Sequence, residues 1–296
     1  MSMKTSDLLT RFRIDRPARF RLAGRDCAET CGLDMGKDEA KAALKDDLER
    51  LSHLQERLYA HDRWAVLVIL QGMDASGKDS AIKHVMSGIN PQGCEVTSFK
   101  APSAEELDHD FMWRHAMRLP TRGRVGILNR SYYEEVLVVR VHPELLDRQR
   151  LPDSLAKAGI WRRRFSDICG FERHLVNNGT RVLKFFLHLS REEQSRRFLD
   201  RIDDPEKRWK FNPGDIAERK LWNKYMAAYQ DMIRHTSTPQ APWYVVPADD
   251  KWFCRMIIAA ALVRTLEQLR PHYPPVDQAM LREMKRARKA LLAEKP

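Results

Sequence analysis

The chain runs to 296 residues, long enough for one large domain with extensions. Hydrophobic residues at 43% and charged residues at 31% describe an ordinary soluble composition, and no apolar run approaches the ~20 residues of a membrane span. The 52 Lys and Arg exceed the 41 Asp and Glu by a formal +11, which favours a polyanionic partner such as nucleic acid, nucleotide, acidic lipid or a phosphate polymer; a solvated basic surface accounts for the same excess.

The N-terminus is basic but has no apolar signal core, and Asp7 and Asp15 argue against a transit peptide. The five cysteines (Cys27, Cys31, Cys94, Cys169, Cys254) are scattered, with no second close pair or His cluster to complete a zinc site. Reduced thiols in a cytoplasmic protein are expected.

Residues 1–35 read as irregular and basic. Lys37–His61 reads as a long amphipathic helix, with Leu44, Leu48, Leu51, Leu54 and Leu58 at helical spacing, packed on the core or on a second subunit. Together residues 1–60 form an N-terminal extension to a core spanning 61–270.

Trp64–Leu70 is a continuous apolar strand, as expected in a parallel sheet covered on both faces. It runs into Gly72-x4-Gly77-Lys78, the spacing of a phosphate-cradling P-loop that opens a helix. Gly72, Ala75, Ser76 and Gly77 offer backbone N–H groups to phosphate oxygens, the helix N-terminus adds partial positive charge, and Lys78 supplies a mobile cation. The residue after the lysine, usually a metal-binding Ser or Thr, is Asp79, and Asp74 lies inside the loop. Carboxylates facing phosphate repel it unless a divalent cation intervenes, so both are candidates for a magnesium-linked role or for a general base. A plain glycine turn between strand and helix is the bland alternative.

Glu95–Lys100 reads as a second strand, and a helix starting at Ser103 runs to about Leu119. Val125–Asn129 is a third strand leading into Arg130-Ser-Tyr-Tyr-Glu-Glu135. A strand beside a P-loop normally carries an acid at its tip; here the tip is Asn129, and Glu134 and Glu135 follow. Arg130 is placed to grip phosphate, or else merely pairs with Glu134 at i,i+4. Ile160–Asn178 is a helix ended by Asn178-Gly179, and Val182–Leu189 a fourth strand. Ser190-Arg-Glu-Glu193 opens a helix leading into the densest run of cations, Arg196 to Lys210, broken by Asp204-Pro205 and followed by Pro213-Gly214. Residues about 191–215 suit a mobile lid over phosphates; a solvated helix end is the competing reading. Asp215–Arg234 is a helix, Trp243–Val246 a fifth strand, Asp250–Leu269 a closing helix, and 271–296 a charged helical tail. Strands alternating with helices predict a three-layer α/β fold with a central parallel sheet of about five strands.

Taken together the stretches LQGMDASGKDSAIKHVMSGINPQG, FKAPSAEELDHDFMWR, GILNRSYYEEVLVVRVHP, FERHLVNNGTRVLKFFLHLS, RFLDRIDDPEKRWKFNPGD and STPQAPWYVVPADDKWF resemble the family-2 polyphosphate kinases, from roughly Asp38 to Leu269. The resemblance implies a thymidylate-kinase-like P-loop fold with a helical lid, and magnesium-dependent (or manganese-dependent) reversible phosphoryl transfer from inorganic polyphosphate to AMP or ADP, giving ADP and ATP. By position it places Asp74, Gly77, Lys78 and Asp79 on the phosphate loop and Asn129 and Arg130 on a second signature motif, with Tyr133, Glu134 and Glu135 just beyond and Arg208 and Lys210 in the lid. On these readings Asp74, Lys78, Asp79 and Arg130 are catalytic, and Arg208 and Lys210 join the phosphate contacts. Asn129, Tyr133 and Glu134 face the nucleotide, and Asp74 with Glu135 holds the metal.

Many family members that convert ADP to ATP read Asp-Arg-Ser-Trp-Tyr-Asn at the second motif; Asn129-Arg-Ser-Tyr-Tyr-Glu-Glu135 looks instead like the subgroup accepting AMP and ADP. That subgroup often has Asp where this chain has Glu135. The family also implies a homo-oligomer, a dimer or tetramer; from the residues themselves no nucleic-acid or membrane partner is expected. An ADP-only polyphosphate kinase, an ATP-dependent nucleoside-monophosphate kinase, and a nucleic-acid-binding protein with a vestigial P-loop are the competing functions. No helix-turn-helix, zinc-finger or RNA-recognition signature supports the last.

Overall fold

A computed structural model describes residues 5–33, 37–156 and 159–294. Its centre is β1 (Ala65–Gln71), in which all seven residues are buried. Successive side chains of a strand point to opposite faces. Val66, Val68 and Leu70 accordingly enter one apolar cluster, while Leu67 and Ile69 enter the other. β2 (Cys94–Ser98), β3 (Val125–Asn129), β4 (Thr180–His188) and β5 (Trp243–Pro247) complete a parallel sheet of order β2-β3-β1-β4-β5. The chain visits one side of β1 first and the other side later, so the strand order reverses at β1. Parallel sheets bind ligands at the carboxyl ends of the strands at such a point.

One face of the sheet carries the long helix Lys37–His61, the P-loop helix Lys78–Val85 and the closing helix Lys251–Leu269. The long helix packs along the closing helix, burying Leu51 and Leu58. The other face carries Ile160–Asn177 and Trp222–Thr236. The three-layer α/β expectation is met. Among the described residues no helix is long and apolar enough to cross a membrane.

Four local expectations are corrected. The N-terminal segment, outside residues 1–4 and 34–36 which lie beyond the described residues, is not irregular throughout. Thr5–Phe12 is a helix whose Leu8, Leu9 and Phe12 are buried, with Phe12 edge-on to Phe253 at 5.6 Å. The Ile14 N–H then donates to Trp243 O at 2.9 Å, covering the exposed edge of β5. The expected helix from Ser103 is two short ones, Ala104–Asp108 and Trp113–Ala116, because His109 is extended and the Asp110 carboxylate accepts the Met112 N–H at 2.8 Å. The helix expected from Asp215 to Arg234 is likewise two, Pro213–Arg219 and Trp222–Thr236, broken at Leu221, whose backbone leaves the helical region. The charged tail does form a helix, but only from Gln278 to Ala293.

Candidate active site

The phosphate loop leaves β1 at Gln71 and re-enters regular structure at Lys78. A side chain at Gly72 would bring its Cβ to 2.9 Å from Leu187 O and 2.7 Å from Ser76 Oγ, so the loop needs glycine there to pass β4. Gly77 has φ 99°, a conformation side chains rarely tolerate, and Ala75 adopts the left-handed region at φ 62° without that freedom. Arg130, after the tip of β3, does the same at φ 63°. Two non-glycine residues held in this region on facing sides of one cleft mark backbone strain that the surroundings must enforce.

Two buried side chains of the helix Arg191–Asp203 enforce it on the loop. Gln194 donates through Nε2 to Asp74 O at 2.9 Å, and its Oε1 accepts from Arg219 at 2.9 Å. Arg197 donates to Ala75 O at 2.9 Å and to Ala248 O and Asp249 O at 2.6 and 2.9 Å, while its Nε contacts Glu193 at 2.7 Å. The lid helix is therefore anchored on the phosphate loop at its base.

In this structure the Lys78 ammonium is folded onto its own loop, donating to Gly72 O at 2.7 Å and Met73 O at 3.1 Å. Burial lowers its pKa, and the nearby Asp74 carboxylate works against that shift. Asp74 itself accepts from Arg130 at 2.9 Å. Burial also pulls on Arg130, but the facing carboxylates Glu134 and Asp74 outweigh it and hold the guanidinium pKa above its ordinary value. Asn129 donates through Nδ2 to Asp79 Oδ1 at 2.5 Å, tying the tip of β3 to the P-loop helix. Glu134 lies behind this group: burial raises its pKa, with Arg130 and Lys78 opposing. With the Gln71 amide nitrogen turned toward it, Glu134 Oε1 accepts at 2.9 Å.

Around these residues lies a cleft of about 740 Å³ lined by eight cations and four carboxylates. Asp74, Ala75, Ser76, Gly77, Lys78, Asp79, Asn129 and Arg130 all face it, as does Lys210 from the lid. Such a surplus of positive charge in a concave site raises the local concentration of anions.

Besides Gly72 and Glu134, which do not line the cleft, three expected site residues are placed elsewhere. Tyr133 is fully buried, its hydroxyl donating to Glu172 Oε1 at 2.7 Å and accepting from Lys184 Nζ at 2.9 Å, so it has no surface to offer a nucleotide. Glu135 turns to Arg164 at 2.7 Å and Gln149 at 2.7 Å and does not line the cleft, so the Asp74–Glu135 metal pair is not formed. Arg208 is exposed outside the cleft and donates to Ile202 O at 2.9 Å. The first two share a cause. Tyr132–Val136 is a 3-10 turn, in which consecutive side chains diverge by about 120°. Neighbours in sequence therefore leave in different directions.

Sequence reasoning does not single out Gln194, Asp215, Lys100 or Lys251, of which all but Gln194 line the cleft. Burial raises the Asp215 pKa, with the Asp74 charge adding to it, and its carboxylate lies 3.4 Å from Arg201. The signal available for Lys251 is its place just beyond the carboxyl end of β5, on the sheet edge where ligands bind. Gln194 gives no such signal.

Among the described residues no cluster of three or more His, Cys, Asp and Glu side chains forms an all-protein metal cage. Magnesium held by one or two carboxylates plus substrate phosphates needs no such cage, and the cleft-facing Asp74 and Asp79 suit that donor set.

A family model described as Polyphosphate kinase 2 matches residues 34–274. The chain is 52% identical over 258 residues to an ADP-polyphosphate phosphotransferase of Rhodopseudomonas palustris, covering 86% of this chain and 89% of the relative. It is 44% identical over 271 residues to an AMP/ADP-polyphosphate phosphotransferase of Meiothermus ruber, covering 92% and 97%. The crystal structure of polyphosphate kinase 2 from Arthrobacter aurescens TC1 superposes with a TM-score of 0.86 at 38% identity, covering 99% of this chain and 98% of that one.

Proposed function

We propose, for a chain that belongs to the polyphosphate kinase 2 family, that this cleft transfers a phosphoryl group from inorganic polyphosphate to AMP or ADP, giving ADP or ATP. The observation that carries the reading is one juxtaposition. The phosphate loop with Lys78, the Arg130–Asp74 pair at the tip of β3, and the lid cations meet around a single cleft.

Phosphoryl transfer proceeds through a loose transition state whose charge is spread over peripheral oxygens, so catalysis is positioning and electrostatics. Lys78 swings from its loop carbonyls onto the transferring phosphate, and Arg130 faces it from β3. The bond from that phosphorus to the polymer oxygen breaks as a bond to an acceptor phosphate oxygen forms. Asp74 or Asp79 orients the acceptor or takes its proton. Magnesium, held through Asp74 and Asp79 with phosphate oxygens, would supply further neutralisation of charge. The lid helix excludes water, limiting hydrolysis of the donor. The wider ring of cations receives the polymer itself, which brings roughly one charge per unit and binds in a salt-dependent way.

Acceptance of AMP as well as ADP follows the second motif, where Asn129 takes the place of an acid. The test offers AMP and ADP separately with polyphosphate as sole donor, following products by ion-pair chromatography. ADP and then ATP from AMP is expected. ATP from ADP alone would leave the family and overturn the AMP assignment.

A further inference from the structure

We propose that the C-terminal helix Gln278–Ala293, with the basic groove at its root, docks this protein on an anionic lipid surface. Every residue from His272 to Glu294 is exposed, including Met284 at 53%, Leu291 at 66% and Leu292 at 69%. The start of the helix is fixed by Asp277, whose carboxylate accepts the Met280 N–H at 2.7 Å. A 16-residue helix exposed along its whole length is marginal in water, so its apolar residues need a surface to hold it.

The distribution of side chains says which surface. Successive residues of a helix turn by about 100°, which places Met280, Met284, Ala287 and Leu291 within about 60° of one another and lets Leu281 and Leu292 widen the apolar face to about 140°. Arg282, Lys285, Arg286 and Lys289 fill the remaining side, where Glu283 is paired with Arg286 at 2.9 Å. A broad apolar face beside a cationic one is the pattern of a helix lying in the plane of an anionic lipid surface. Arg288 decides between lipid and protein, because it sits inside the apolar face, between Met284 and Leu281. Against an apolar protein groove its charge would be buried without a partner. At a lipid surface its stem lies along the acyl boundary and the guanidinium reaches out to the phosphates. A free phosphate polymer would engage the cations and leave the apolar face in water.

The helix springs from a second basic feature. Pro271, Pro274 and Pro275 make a stiff spacer after Arg270, and Tyr273 within it is exposed, an amphipathic ring suited to headgroup depth. Beside this exit Arg50, His53, Arg57 and Arg270 line an open groove with one carboxylate, Glu267, which pairs with Arg50. The closing helix runs from Lys251 at the cleft to this groove, about 28 Å at 1.5 Å per residue. Groove and tail therefore face a membrane from the end of the closing helix remote from the cleft. The expectation of no membrane partner rests on the lack of a spanning run; a helix lying among the headgroups needs none.

The test is flotation of the full chain with vesicles of phosphatidylglycerol and phosphatidylcholine, beside vesicles of phosphatidylcholine alone. Binding to the anionic vesicles should exceed binding to the neutral ones at least about tenfold, and should fall at least about fivefold from low to about 0.5 M salt. Leu281→Glu and Leu291→Glu should each weaken it about tenfold or more, and Arg57→Glu with Arg270→Glu about threefold or more. Transfer activity per chain in solution should stay that of the parent, since none of these residues lines the cleft. Equal binding to the two kinds of vesicle, binding to neither, or undiminished binding of Leu291→Glu overturns the proposal. So does vesicle-free sedimentation that shifts on Leu291→Glu, the mark of a face buried against protein instead of lipid.

Discussion

The Arg130 guanidinium donates to the Asp74 carboxylate at 2.9 Å, joining the tip of β3 to the middle of the phosphate loop. The pair is half-open to the cleft, so each partner can exchange the other for a ligand: Arg130 for a phosphate oxygen, Asp74 for a cation. Arg130 holds its left-handed backbone for this placement. Replacing it with Gln is predicted to lower kcat by about 10²-fold or more, the scale of removing one preorganised charge. Arg130→Lys should recover little, because a point charge does not reproduce the planar fork. Steady-state kinetics of the two variants checks this.

The lid helix and the phosphate loop form one unit through Gln194. Gln194→Leu loses both the Asp74 O contact and the Arg219 contact, while Gln194→Glu keeps an acceptor for Arg219 and loses the donor to Asp74 O. Both variants are predicted to lower kcat about tenfold through a misplaced loop, with Gln194→Glu the more stable of the two. Turnover beside thermal midpoints separates the two effects. Equal activity of the parent and Gln194→Glu would show that the Asp74 carbonyl needs no such anchor.

Beneath the second motif, Lys184 donates to Glu172 at 2.6 Å, Tyr133 Oη at 2.9 Å and Thr236 O at 2.7 Å, with no exposed surface. Removing one partner of such a pair strands a buried charge. Lys184→Met is predicted to destabilise by about 3–5 kcal/mol, and the double change Lys184→Met with Glu172→Gln by less than the single one. Urea unfolding measures both.

Two histidines make the fold acid-sensitive. Burial pushes the His188 pKa down to about 4 and that of His115 to about 3, each from an ordinary 6.5. Between those values and 6.5 the unfolded chain binds protons that the folded chain refuses. Stability is therefore full above pH 6.5 and falls as the pH drops toward 4, by at most about 1.4 kcal/mol per pH unit for each histidine. Urea midpoints from pH 7 to pH 4 should show the decline, and His188→Asn should flatten it.

Much of this was legible in the residues because it rests on short-range physics. The apolar run Trp64–Leu70 followed by glycines and Lys78 announces strand, loop and helix. The central strands β1 and β4 follow from their runs of Val, Ile, Leu and Phe, whereas β2 carries a single Val among polar residues. What sequence could not resolve was direction. The Tyr132–Val136 turn sends Tyr133 to Glu172 and Glu135 to Arg164 while Glu134 stays beside Arg130, a difference of rotation between adjacent residues. Gln194 was equally hidden, since its role depends on a carbonyl 120 residues away. The break at Leu221 was concealed by the helical pattern on either side of it, where Arg219 ties back to Arg191 O.

The central claim, that this cleft moves phosphate with Lys78 as its mobile charge, is tested most directly by the turnover of Lys78→Ala with polyphosphate as donor and ADP as acceptor. The account predicts a folded protein, with an unchanged lid helix and sheet, whose kcat falls about 10²-fold or more. Near-normal turnover in that folded variant would contradict it.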